Sequence, residues 1–154
     1  MSATLLSSDN GSFSAVPSIL EISGLLGCLN LEEPVHLSQV DSETLGKILA
    51  FCEHYSTDTL PEIAKPIQSE DFSTLVPAWY FEFLNVEHAL LFKLAEAANY
   101  MDIPPLLNLV AAKIASMIQN KSVERIRELF HLPNTLTPEE EEAMQEEYRW
   151  CMED

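Results

Sequence analysis

Two helical stripes set the frame of this chain. Leu91, Leu94, Ala95 and Ala98 recur with the 3.6-residue period of one helix face, and Leu107, Val110, Ile114 and Met117 recur with that of another. Between them stands Asp102, a candidate N-cap, with Pro104 and Pro105 following in the first turn of the second helix. A proline is tolerated there because the N–H it lacks has no intrahelical acceptor. Each apolar stripe needs a surface to cover it, so the second half of the chain is committed to clustered helices.

The front reads differently. Thr4–Ser7 and residues 12–16 flank Asp9-Asn10-Gly11, three residues that tolerate the positive φ of a tight turn, and predict a hairpin. Pro17 suits a first helical turn. Ile19, Leu20, Ile22, Leu25, Leu26 and Leu29 then form a short apolar helical stretch interrupted by Gly24 and Gly27. Val35-His36-Leu37 is a further short strand. Asp41 is the expected N-cap of a helix whose stripe is Leu45, Ile48, Leu49 and Cys52. Over residues 56–74 the pattern dissolves into Ser, Thr, Pro and acids, which predicts a long exposed loop. A little strand at the front with many helices behind it predicts an α+β domain, helices clustered on a small sheet.

Two helices are expected after Met117. Ser122 caps one that carries Val123, Ile126 and Phe130. The other is TPEEEEAMQEEYRWCMED, with Thr137 as N-cap, Pro138 at N1 and Glu140 closing a capping box. Its early glutamates complement the positive end of the helix dipole. Met144, Tyr148 and Cys151 fall at i, i+4, i+7. A helix of this length is marginal by itself in water. So Tyr148, Trp150, Cys151 and Met152 either dock on the chain's own core or meet another protein, a choice worth about 1.5–3 kcal/mol per large apolar side chain.

Charge narrows the partners. With 25 acidic residues against 8 lysines and arginines the net charge is −17, which excludes phosphate-neutralising contact with nucleic acid and disfavours an anionic membrane surface. Hydrophobic residues at 47% suffice for a core, so a chain of 154 residues is expected to bury about 68–70% of its unfolded surface. No basic residue precedes Lys47, so no secretory n-region is expected, and no apolar run reaches the length of a membrane span. Cys28, Cys52 and Cys151 are odd in number without CxxC spacing, which predicts reduced thiols in cytoplasm or nucleus.

Chemistry is sparse. Of His36, His54, His88 and His131, only His54 has a cysteine near it, at Cys52-x-His54, and i, i+2 positions do not share a helix face. A core cysteine and a surface histidine are expected, with no metal site. The glycines, Gly11, Gly24, Gly27 and Gly46, form neither GxGxxG nor a Walker loop, and GxSxG is absent. Neither catalytic residues nor a cofactor are expected.

Specific strings change the reading. Val76-Pro77-Ala78-Trp79, Glu82-Phe83-Leu84 and Ala97-Ala98-Asn99-Tyr100-Met101-Asp102-Ile103 resemble the S-phase-kinase-associated adaptors of SCF ubiquitin ligases, which read IPxWDxEFL and then AANYLDI at the same separation. Leu106-Leu107, Met117-Ile118, Ile126-Arg127, Phe130 and the terminal Trp150-Cys151 continue the likeness. At the front it is looser: Ser7-Ser8-Asp9, Phe13, Pro34-Val35-x-Leu37 and Cys52-x-His54.

The resemblance implies a BTB/POZ-like domain over residues 1–104 that binds a cullin, and a helical region over residues 105–154 that binds F-box proteins. It implies a non-enzymatic bridge that promotes ubiquitination, with the RING subunit reached only through the cullin. Asn99 and Tyr100 would face the cullin. Ile114, Ile118, Ile126, Phe130, Leu136, Trp150 and Cys151 would clamp the F-box, although Ile114 and Ile118 equally suit holding their helix to the domain. Pro138 matches the proline hydroxylated and glycosylated in protist members. Departures are Tyr80 for the family's Asp, Pro104-Pro105 in the turn, Gln145-Glu146 for basic residues, and Gly24 and Gly27 in the front helix. They leave a second reading, an F-box-binding stabiliser or decoy with weakened cullin docking. A third is an enzyme of unrecognised type, for which nothing in the sequence asks.

Overall fold

The computed structural model describes residues 3–151, so Met152 of the tail lies outside the described residues. Strands β1 (Thr4–Ser7), β2 (Ser12–Ser14) and β3 (Val35–Leu37) form one sheet in the order β2-β1-β3. β1 pairs antiparallel with β2 through Leu5 opposite Phe13, and parallel with β3 through Leu5 opposite Val35. The hairpin turn forms as the Asp-Asn-Gly run predicts: Asn10 takes φ 63°, and Ser7 both accepts from Gly11 N at 2.8 Å and reaches Asp9. β2 stops at Ser14, two residues short of the expected end, because Ala15 N already donates to Ala3 O and Pro17 opens the next helix.

Eight α-helices join these strands among the described residues: α1 (Pro17–Ile22), α2 (Gly24–Gly27), α3 (Ser42–Thr57), α4 (Ala78–Phe83), α5 (His88–Tyr100), α6 (Pro104–Ile118), α7 (Val123–Leu129) and α8 (Pro138–Glu147). The architecture is mixed α+β, as expected. None of these helices is long and apolar enough to cross a membrane.

Packing divides the chain in two: residues up to Asn120 form one compact unit and those from Lys121 another. This packing boundary differs from the functional division drawn at 104/105, because α6 lies against α5 and contributes Leu106, Leu109 and Val110 to the same core. The rest of that core is Leu5 and Leu37 from the sheet, Leu45, Ile48, Phe51 and Cys52 from α3, and Leu91, Leu94 and Ala98 from α5. The stripe expected on α6 is rotated: Leu107, Ile114 and Met117 are only half-buried, since α6 turns the Leu106–Leu109 side inward.

Three further expectations need correction. The break after α1 lies at Ser23, not at the glycines. Ser23 Oγ caps α2 by accepting from Leu26 N at 3.2 Å and donates to Met101 O at 2.5 Å. Gly24 is a requirement of the same contact: its N–H bonds Asp102 O at 2.8 Å, and a Cβ there would collide with the Asp102 carboxylate. Asp102 therefore does not cap α6. It takes φ 51° in the turn, and Ile103 occupies the cap position with no side-chain bond. Finally, the stretch 56–74 is not wholly an exposed loop. α3 extends through Thr57, Ile63 and Phe72 are buried, and Asp71 caps a 3-10 turn at Phe72–Thr74.

In the second unit, Ser122 caps α7 by accepting from Arg125 N at 3.2 Å. Thr137 and Glu140 form the expected capping box of α8, with Thr137 N donating to the Glu140 carboxylate at 2.9 Å. A 3-10 turn, Arg149–Cys151, follows Tyr148. Neither α7 nor α8 contains a buried residue.

Candidate protein-interaction surfaces

The last turn of α5 presents the first candidate surface. Ala97 and Ala98 face the core, which leaves Asn99 exposed and Tyr100 half-buried along its edge. The following turn is held from the opposite side by Ser23, Gly24 and Leu25, whose N–H reaches Met101 O at 3.3 Å. Three hydrogen bonds from residues 23–25 thus fix where α5 ends. Further along α6, Ile114 is half-buried against the core and Ile118 is exposed.

The second unit holds a groove of about 270 Å³ between α7 and α8. Its apolar wall is Val123, Leu136, Met144 and Tyr148, of which the three other than Leu136 are 45–54% exposed. An ion pair ties the two helices: Arg127 Nη1 lies 3.0 Å from Glu141 Oε1, and Asn134 Nδ2 donates to the same oxygen at 3.3 Å. Glu124 and Gln145 complete the polar lining. Of the residues the resemblance names for the clamp, Leu136 lines the groove, whereas Ile126 and Phe130 are half-buried outside it and Trp150 and Cys151 lie beyond α8. Trp150 is 74% exposed, and Cys151 Sγ donates to Tyr148 O at 2.9 Å. Val123, Met144 and Tyr148 were absent from the expected clamp. The i, i+4, i+7 stripe through Met144 and Tyr148 was the signal that marked two of them.

Elsewhere the ionisable groups are accounted for by packing. Cys52 is buried, and desolvation pushes its thiol up to about 12. His54 is not the surface histidine expected beside it: its ring stacks on Trp79 at 3.7 Å, and Trp79 in turn stacks on Phe83 at 5.2 Å. Burial raises the Tyr80 phenol to about 12, with the Asp58 charge adding to it, and the phenol donates to Asp58 O. Hydrogen bonds from Lys93 at 2.8 Å and Thr44 N at 2.9 Å hold the Asp41 carboxyl down at about 2. Among the described residues no three His, Cys, Asp or Glu side chains converge as metal ligands would.

Comparison with known proteins adds a family pattern to this geometry. Residues 104–151 match the model of the Skp1 family, dimerisation domain. The chain is 39% identical over 133 residues to the S-phase kinase-associated protein 1 homolog of Tetrahymena thermophila, covering 86% of this chain and 80% of that protein. It is 37% identical over 154 residues to the suppressor of kinetochore protein 1 of Schizosaccharomyces pombe, covering 96% and 95%. Against the SCF ubiquitin ligase complex protein SKP1a of Dictyostelium discoideum the identity is 37% over 120 residues, covering 78% and 74%.

Proposed function

Because this chain belongs to the Skp1 family, we propose that it is a non-catalytic adaptor of an SCF-type ubiquitin ligase, holding a cullin at one surface and an F-box protein at another. The observation that carries this reading is similarity over 96% of the chain, hence through both packing units, to the suppressor of kinetochore protein 1, together with similarity over 78% of it to a relative named as a protein of the SCF complex. The mechanism is bivalency: the adaptor makes no bond and breaks none, but raises the local concentration of substrate at the ligase. The RING subunit is reached through the cullin. A small sheet followed by helices suits a BTB/POZ-like domain over residues 1–104 with an F-box-binding region over residues 105–154. The reading places the protein in cytoplasm or nucleus, with no nucleic acid or membrane among its partners, in keeping with a net charge of −17.

The cullin surface is assigned to Asn99 and Tyr100, supported by the exposure of Asn99 and the half-exposed edge of Tyr100 at a helix end whose position is locked. The F-box surface is assigned to Ile114, Ile118, Ile126, Phe130, Leu136, Trp150 and Cys151, supported by the exposure of Trp150, an aromatic of the kind that anchors interface centres. Pro138 is exposed at the first position of α8, which leaves it accessible to a prolyl hydroxylase in a host cell that has one. A pull-down on purified F-box domain and cullin N-terminal region tests the reading. The wild-type chain captures both, and Asn99→Ala with Tyr100→Ala loses the cullin while keeping the F-box. Capture of the F-box alone by the wild-type chain makes the protein a stabiliser or decoy, and capture of neither overturns the proposal.

A further inference from the structure

The groove between α7 and α8 restricts which helices it accepts. We propose that its occupant is an amphipathic helix with lysine or arginine flanking its apolar ridge, a requirement that rests on the F-box reading and adds to it the chemistry of the partner. The apolar wall of Val123, Leu136, Met144 and Tyr148 takes the ridge. From Glu141 to Tyr148 the α8 side of the groove spans seven residue steps, about 10.5 Å, so two turns of an incoming helix cover it. Around it the charge is one-sided. The described residues of this unit, 121–151, hold eight glutamates against one lysine and three arginines. Both arginines of α7 are engaged within the unit, Arg127 by Glu141 at 3.0 Å and Arg125 by Glu128 at 3.1 Å. Glu124 lines the groove on one side, and Gln145 on the other supplies no positive charge. α8 itself contains six glutamates and no basic residue. A helix with acidic flanks meets repulsion from Glu124 and from the other glutamates of α8, whereas one with basic flanks gains steering and register from them.

The test uses the full chain and two fluorescently labelled 18-residue helical peptides with the same leucine ridge, flanked by lysine in one and glutamate in the other. Anisotropy titrations at 0.1 M salt should show the lysine peptide at least tenfold tighter. At 1 M salt, where screening shortens the Debye length from about 10 Å to about 3 Å, the preference should fall below threefold. Met144→Asp should weaken the lysine peptide at least tenfold. Replacing Glu32 and Glu33 by lysine, on an exposed loop of the first unit, should leave it unchanged. Glu124→Lys with Gln145→Lys should remove the preference. Equal binding of the two peptides overturns the inference, as does binding indifferent to Met144→Asp, which would be capture by acidic surface elsewhere. A purified F-box domain titrated in parallel separates the two claims. If that domain binds while the peptides show no preference, the inference fails and the adaptor reading stands. If the lysine peptide binds the groove and the domain does not bind, the reverse holds.

Discussion

Trp150→Ala separates a side chain that serves the fold from one that serves a partner. With Trp150 74% exposed, only about a quarter of the 150–250 Å² that a tryptophan can bury is covered in the free chain. That is about 40–60 Å², or about 1–1.5 kcal/mol as an upper bound at 25 cal/mol per Å². For a chain of this size, where 1 kcal/mol moves Tm by about 2–4 °C, the variant should melt within about 6 °C of wild type. Docking into a partner offers the other three quarters of the side chain. An aromatic anchor at an interface centre is worth about 2 kcal/mol or more on truncation, which is roughly a 30-fold loss of affinity. The assay is therefore a pair: scanning calorimetry of the free protein, and titration of an F-box domain into wild type and variant. A fall of more than 10 °C with unchanged affinity would refute the reasoning, because it would place Trp150 in a core that the structure does not give it.

Other expectations follow from the ionisable groups. Asp41 is both the cap of α3 and the partner of Lys93, and its folded value of about 2 lies below the ordinary 3.8. Its contribution is thus complete above about pH 4 and is lost as pH falls towards 2. Asp41→Ala should cost about 0.5–2 kcal/mol near neutrality, with the gap in Tm between wild type and variant closing across that window; a gap that stays constant to pH 2 would contradict the pairing. Native alkylation at pH 8 followed by mass spectrometry should modify Cys28 and Cys151, both exposed, and spare Cys52 until denaturant is added. Labelling of Cys52 at the same rate would show that α3 opens to solvent in the native state.

What could be read from the sequence was what neighbouring residues decide among themselves. The capping box at Thr137 and Glu140, the cap at Ser122 and the positive φ in Asp9-Asn10-Gly11 each need only a few adjacent residues, and each formed as expected. The errors lie where distant segments meet. Nothing near Asp102 reveals that Gly24 lies against its carboxylate, so a good capping residue was assigned a cap it does not make. Ile63 and Phe72 sit in polar, proline-rich sequence, yet tertiary contact buries them. α4 went unnoticed because six residues are too few for a period, and its Trp79 carries the stack that takes His54 off the surface. At the candidate clamp, periodicity marked Met144 and Tyr148, while Val123 joins them only because Arg127 and Glu141 tie α7 to α8.

That tie and the capping box are also what α8 has in place of a buried face. When the competent form of a site is populated for only a fraction of the time, the measured dissociation constant is the intrinsic one divided by that fraction. Loosening α8 tenfold at Thr137 or Glu141 would therefore weaken every helix-seeking partner by the same factor, whatever its sequence. Substitution within Val123, Leu136, Met144 or Tyr148 would instead reorder the partners among themselves. On the F-box reading, the short acidic helix would then act as a gain control on the whole repertoire, adjustable without touching the choice of partner.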